Sequence, residues 1–141
     1  MRTLQILLAA CFIISVFGGC PSQTVPSVIG LWDGVSYLDG AGKAVSVYEA
    51  TFHANGTATI YFPGTDATRT MSYSQNGSTI RILGSQPIVD DLGTGATHAA
   101  QDTVLLMEGN DYMYGDTYVT FFFEDGSEAV TGYWTEELYR R

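Results

Sequence analysis

Apolar and polar residues alternate along short stretches of this chain, and glycine-bearing turns separate those stretches at near-regular spacing. Alternation places apolar side chains on one face of a strand, and repeated turns between such strands predict an antiparallel all-β domain. The first segment is Ile29 to Leu38, followed by the turn Asp39-Gly40-Ala41-Gly42-Lys43. Ala44 to His53 comes next, with Tyr48, Ala50 and Phe52 on one face and Val47, Glu49 and Thr51 on the other. Ala54-Asn55-Gly56 makes a tight hairpin into Thr57 to Phe62, where Ala58, Ile60 and Phe62 share a face. After Pro63-Gly64-Thr65-Asp66, the strand Arg69 to Gln75 aligns Met71 with Tyr73. Asn76-Gly77 is the strongest turn, because both residues tolerate the positive φ of a type I′ hairpin. Beyond it Ile80 and Ile82 face one way and Arg81 the other.

The rhythm breaks over Gly84 to Ala100, which reads as loop apart from a short strand at Pro87 to Val89. Thr103 to Glu108 resumes it, and Gly109-Asn110-Asp111 turns the chain again. Tyr112 to Glu124 is aromatic-rich, with a bulge or bend expected at Gly115. Asp125-Gly126 leads into Ser127 to Trp134, and Thr135 to Arg141 reads as a polar tail with one helical turn. The total is about eight strands joined almost entirely by short antiparallel connections. An up-and-down barrel buries one face of every strand and leaves no free edge. With eight strands its interior holds side chains or one small ligand. A Greek-key sandwich needs long crossovers, and only the 84–100 stretch offers one.

The residues ahead of this pattern carry a different message. Arg2 precedes an apolar run from Leu4 to Phe17, broken only by Gln5 and Ser15, and Gly18-Gly19-Cys20 follow. A run of about 14 residues is too short to span a bilayer as a helix and suits a secretory signal. Phe17-Gly18-Gly19-Cys20 resembles the lipobox of bacterial lipoproteins, with Phe where Leu is commoner. That resemblance implies cleavage after Gly19, diacylglycerol on the Cys20 thiol and acylation of the new amine. Cys11 falls in the removed segment, so Cys20 has no disulfide partner in an oxidising compartment. Two or three acyl chains satisfy the requirement for more than one anchoring signal. The chain therefore divides into a signal peptide (1–19), a lipidated N-terminus and tether (20–27) and one β domain (28–141). Pro21, rather than the aspartate associated with inner-membrane retention, leans the address toward the outer membrane.

Charge narrows the partners. Removal of residues 1–19 from the 141 leaves 122 residues with 15 acidic and 5 basic side chains, a formal net of −10. Such a surface repels nucleic acid and anionic headgroups and favours cations or basic proteins.

Several short motifs are similar to those of small lipocalin-like bacterial domains: Gly30-Leu31-Trp32 near the first strand, Phe52-His53-Ala54-Asn55-Gly56-Thr57, the Tyr73 to Ile80 hairpin, and Arg140 or Arg141 at the end. In that family the tryptophan closes one barrel end beneath a C-terminal arginine, so the resemblance implies closure by Gly30, Trp32 and Arg140 through a cation–π contact. The T-D-Y-like motif of true lipocalins is absent, and no cysteines staple the barrel.

Chemistry is sparse. His53, His98 and a carboxylate such as Asp90 or Asp91 lack the close spacing of a zinc motif, and no metal or other cofactor is expected. There is no G-x-S-x-G elbow, and adjacent carboxylates on a strand diverge, so no enzyme is expected. The many aromatics suit a filled core or an apolar pocket with hydroxyls for orientation, with Phe52, Tyr73, Tyr118 and Phe122 as candidate ligand contacts. Three functions stay open: a membrane-anchored module holding a small apolar ligand, a lipoprotein that binds or inhibits a basic envelope protein through an acidic loop, and a structural envelope component.

Overall fold

The computed structural model describes residues 24–38, 42–87 and 95–141. Gly19, Cys20 and the Asp90-Asp91 pair lie outside those residues. Eight strands follow one another: β1 (Gly30–Leu38), β2 (Ala44–Phe52), β3 (Thr57–Phe62), β4 (Ala67–Asn76), β5 (Thr79–Pro87), β6 (His98–Glu108), β7 (Tyr112–Phe122) and β8 (Glu128–Arg140). Each pairs antiparallel with the next, and β8 pairs back to β1, giving a closed up-and-down barrel. The all-β class, strand number and topology expected from the alternation are those observed.

The turn chemistry explains the register. Gly56, Gly77, Gly109 and Gly126 adopt positive φ at the hairpins. The polar partners follow suit: Asn55 Oδ1 accepts from the Thr57 amide at 3.1 Å, and Asp125 Oδ1 from the Ser127 amide at 2.9 Å. These Asx turns fix which residues oppose one another, so the apolar parity of each strand falls on one side of the wall.

Three expectations need correction. The two ends of Gly84 to Ala100 are strand rather than loop, since β5 continues to Pro87 and β6 begins at His98. Ile88 and Val89 of the expected short strand lie outside the described residues. Thr135 to Arg141 is not a helical tail, because residues up to Arg140 form the half of β8 that hydrogen-bonds to β1. Both errors have one cause. The inward positions there (Gly84, Gln86, Gln101, Glu136) are small or polar, so a continuous backbone ladder carries no apolar alternation. Gly115, third, sits in unbroken register opposite Leu105, and the irregularity falls at Phe121/Phe122 instead. A Cβ at Gly115 would lie 1.9 Å from the Val104 carbonyl oxygen, so glycine is needed there for close approach of β6 and β7.

The interior divides along the barrel axis. The largest fully buried side chains are Trp32, Phe52, Ile80, Leu105, Met113, Leu138 and Val28, all in the half where β1, β3, β5 and β7 begin. The inward positions of the other half include Ser46, Arg69, Gln101 and Thr117, and they enclose space. One half is core; the other is site.

Candidate functional site

At the filled end, residues 26–29 cross the barrel mouth and seal it. Val28 is fully buried, and its amide donates to Gln75 Oε1 at 3.1 Å while Gln75 Nε2 donates to the Pro26 carbonyl at 2.5 Å. Trp32 is also fully buried, and its indole N–H donates to the Val28 carbonyl at 2.8 Å. The Arg140 guanidinium lies 4.4 Å from the Trp32 ring centroid. Its Nε donates to the Asn110 carbonyl at 2.7 Å, Nη1 to the Ile29 carbonyl at 3.0 Å, and Nη2 to the Ser27 carbonyl. Gly30 has φ of +136°, and a Cβ there would stand 3.2 Å from Arg140 Nη1. Gly30, Trp32 and Arg140 thus meet in one closure, built by the first and last strands together.

No described segment crosses the opposite end as residues 26–29 cross the sealed one. A cavity of about 410 Å³ runs inward from that opposite end, between apolar walls that include Ile60, Met71, Ile82 and Phe121. That volume lies within the range of small-ligand sites. Arg69 lines it from β4, with its guanidinium carbon 5.1 Å from the Phe62 ring centroid. With the Gln86 amide oxygen turned toward Arg69, it accepts from Nε and Nη1, each at 3.2 Å.

A carboxylate stands on the cavity wall. Glu136 is only 5% exposed, and its Oε2 accepts from Ser36 Oγ at 2.7 Å and from the Tyr48 hydroxyl at 2.9 Å. Thr117 of β7 lines the same wall and shares a 2.7 Å bond with Thr103 of β6. Tyr48 reaches this group because its ring lies over Gly34, where a Cβ would be 2.2 Å from the ring. Burial pushes the Glu136 pKa above its ordinary 4.5, and the hydroxyls of Ser36 and Tyr48 pull it back. Burial, and then the carboxylate, push the Tyr48 hydroxyl well above its usual range, so it stays a donor.

The raised Glu136 pKa has a signed consequence for stability. The folded chain keeps this proton to higher pH than the unfolded one, so stability falls as pH rises from the ordinary carboxyl value through the raised one. Glu136→Gln removes that loss while keeping an acceptor for Ser36 and Tyr48. The variant's Tm should match the wild type near pH 4 and exceed it by a few degrees at pH 8. A gap that shrinks as pH rises would refute the assignment.

The aromatic residues singled out as ligand contacts lie elsewhere. Phe52 is buried in the sealed end, edge-on to Tyr73 with centroids 5.1 Å apart, and the Tyr73 hydroxyl donates to the His53 carbonyl at 2.7 Å. Tyr118 is half exposed on the outer wall against Tyr133, and it borders a shallow outer depression together with Phe122. None of the four lines the cavity. The inward residues of β7 are Met113, Thr117, Val119 and Phe121, the opposite parity to the one that aromatic content suggested. The overlooked residues had a readable signal: Ser36, Arg69 and Glu136 are polar side chains on the parity of Trp32, Met71 and Leu138.

The histidines occupy opposite ends of the barrel. His53 Nε2 bonds Thr59 Oγ1 at 3.0 Å beside the sealed end, and His98 Nδ1 bonds Thr97 Oγ1 at 2.7 Å at the other end. They cannot share one ion, and no cluster of three or more metal-ligating side chains occurs among the described residues.

The described residues define a closed eight-stranded β-barrel with a sealed end and a cavity toward the other. No family model matches the chain, and no curated protein or solved structure matches it either.

Proposed function

We propose that this chain is a lipid-anchored envelope lipoprotein whose lipocalin-like barrel holds one small, largely apolar molecule. The observation that carries this reading is the cavity itself, with apolar walls and a few inward polar groups, in a barrel whose far end is sealed under Trp32 and Arg140. The reading is of a binder rather than an enzyme, held by lipid on Cys20 with no cofactor and no nucleic-acid partner. The chain from Cys20 to Pro26 reaches at most about 20 Å when extended. Pro26 is bonded at the sealed end, so an anchor on Cys20 turns that end toward the bilayer and the cavity toward water. A ligand would then arrive from the aqueous side.

Native mass spectrometry of protein extracted from its own membrane tests both parts. The expected result is acyl mass on Cys20 and a bound low-mass species. In parallel, the neutral probe N-phenyl-1-naphthylamine should bind one to one, and Val119→Trp, which fills the cavity, should weaken it at least tenfold. An unmodified Cys20 thiol overturns the anchor. The lack of both an adduct and probe binding overturns the ligand reading and leaves a structural component.

A second reading draws on the outer wall. Tyr139 donates to Glu137 at 3.0 Å and Tyr133 to Asp116 at 2.7 Å, amid the exposed Tyr114 and Tyr118. Tyrosines bearing carboxylates on an acidic protein suit a basic protein partner. Binding of that kind must weaken as salt rises; salt-independent binding excludes it.

A further inference from the structure

Resting on the cavity reading above, we propose that the ligand carries a protonated amine and that this amine sits on the Glu136 carboxylate. The first ground is an imbalance of charge. A carboxylate this buried is costly unless a cation or several donors compensate it. The chain has only six lysines and arginines, and three of those described, Arg81, Arg140 and Arg141, are committed elsewhere. Arg81 pairs with Asp102 at 2.6 Å on the outer wall, and Arg141 with Asp33 and Glu49 at 2.6 and 2.5 Å. Arg140 covers Trp32, and Arg69 lies over Phe62 on the cavity wall. Lys43 is exposed next to β2 at the cavity end. No described ion pair includes Glu136.

Donor geometry is the second ground. An ionised carboxylate has about four acceptor positions. Ser36 and Tyr48 both donate to Oε2, which orients the group and leaves capacity for a further N–H donor from the cavity. The third ground is the surrounding π surface. Trp134 lies two residues before Glu136 on the same inward face of β8, and Tyr48, Phe62 and Phe121 line the same space. Aromatic faces attract ammonium groups, most strongly when water is excluded. The net charge of −9 adds long-range attraction for a cation. A carboxylate ligand meets the opposite field at this wall and, among the described residues lining the cavity, would find a cation only at Arg69.

The titration follows from the groups that face Glu136. β2 contributes Tyr48, β1 Ser36 and β7 Thr117; β6 contributes Thr103 and Gln101, which do not ionise, and β4 contributes Arg69. Tyr48 stays protonated through the carboxyl range, so the pH dependence of amine binding is assigned to Glu136. Burial places that titration above the ordinary carboxyl value.

The test uses three indoles of similar shape: tryptamine, neutral 3-propylindole and indole-3-propionate. Calorimetry on the intact wild-type barrel should give tryptamine at least tenfold tighter binding than either of the others. Its affinity should rise with pH through the Glu136 titration, a measurement that needs no variant. Glu136→Gln should remove both the preference and the pH dependence. Equal binding of 3-propylindole or indole-3-propionate, a flat pH profile, or full tryptamine affinity in Glu136→Gln overturns the amine assignment. If N-phenyl-1-naphthylamine still binds in that case, only the amine assignment fails. If neither that probe nor any indole binds, the cavity reading fails with it.

Discussion

A chain ending at Trp134 should show no cooperative thermal transition. The seven residues removed, Thr135 to Arg141, provide six of the seven β8–β1 pairs, from Trp32 opposite Arg140 to Tyr37 opposite Thr135. They also supply the buried Leu138 and the guanidinium over Trp32. Without them β1 and the first half of β7, Tyr112 to Asp116, become bare edges, and an exposed edge recruits other chains. A domain is stable by only about 5–15 kcal/mol in total, less than the loss of a closing strand and its core contacts is expected to cost. Circular dichroism melts should be broad, and size-exclusion chromatography should show aggregates. Deleting Arg141 alone should leave a cooperative transition, because the ladder reaches Arg140. A cooperative melt of the 134-residue chain near the wild-type midpoint would mean that β8 does not hold the barrel closed.

Trp32→Ala carries the second large effect, a loss of about 3–5 kcal/mol as expected for truncating a fully buried tryptophan. The void would lie under Arg140 and beside Val28, where residues 26–29 leave little room to collapse. Trp32→Phe should cost less, since it keeps most of the bulk and gives up the 2.8 Å bond to the Val28 carbonyl. Arg140→Ala should fall between wild type and Trp32→Ala: it removes a cation–π contact of about 0.5–2 kcal/mol and three bonds to carbonyls. Urea titrations of the three variants give the order. A Trp32→Ala cost below about 1 kcal/mol would place the stabilising core elsewhere.

These two experiments probe places where the sequence was legible to different degrees. Gly30-Leu31-Trp32 is a visible motif, and its partner Arg140 was identified through a family resemblance rather than through any property of the strand. The stretch around Arg140 reads as tail because Thr135, Glu136 and Glu137 interrupt the apolar alternation. Likewise Gly84, Ser85 and Gln86 end the apparent strand although hydrogen bonding continues to Pro87 opposite His98. Alternation reports burial in a packed core; a cavity wall is buried without being packed, so its polar residues leave no such mark. The four aromatics named as candidate ligand contacts do not line the cavity. Tyr118 and Phe122 seemed interior by chemistry, yet Thr117 and Phe121 hold the inward parity of β7.

By itself the sequence determined the all-β class, the number of strands and most hairpin turns, because these depend on local chemistry. Positive-φ glycines, Asx residues and period-two apolar positions act over a few neighbours. What only the tertiary structure decided is where space is left inside the barrel and which of the inward polar groups meet there. Ser36, Tyr48, Thr117 and Glu136 are scattered over a hundred residues of chain, and they converge only because β8 closes on β1 and sets the register of both neighbours.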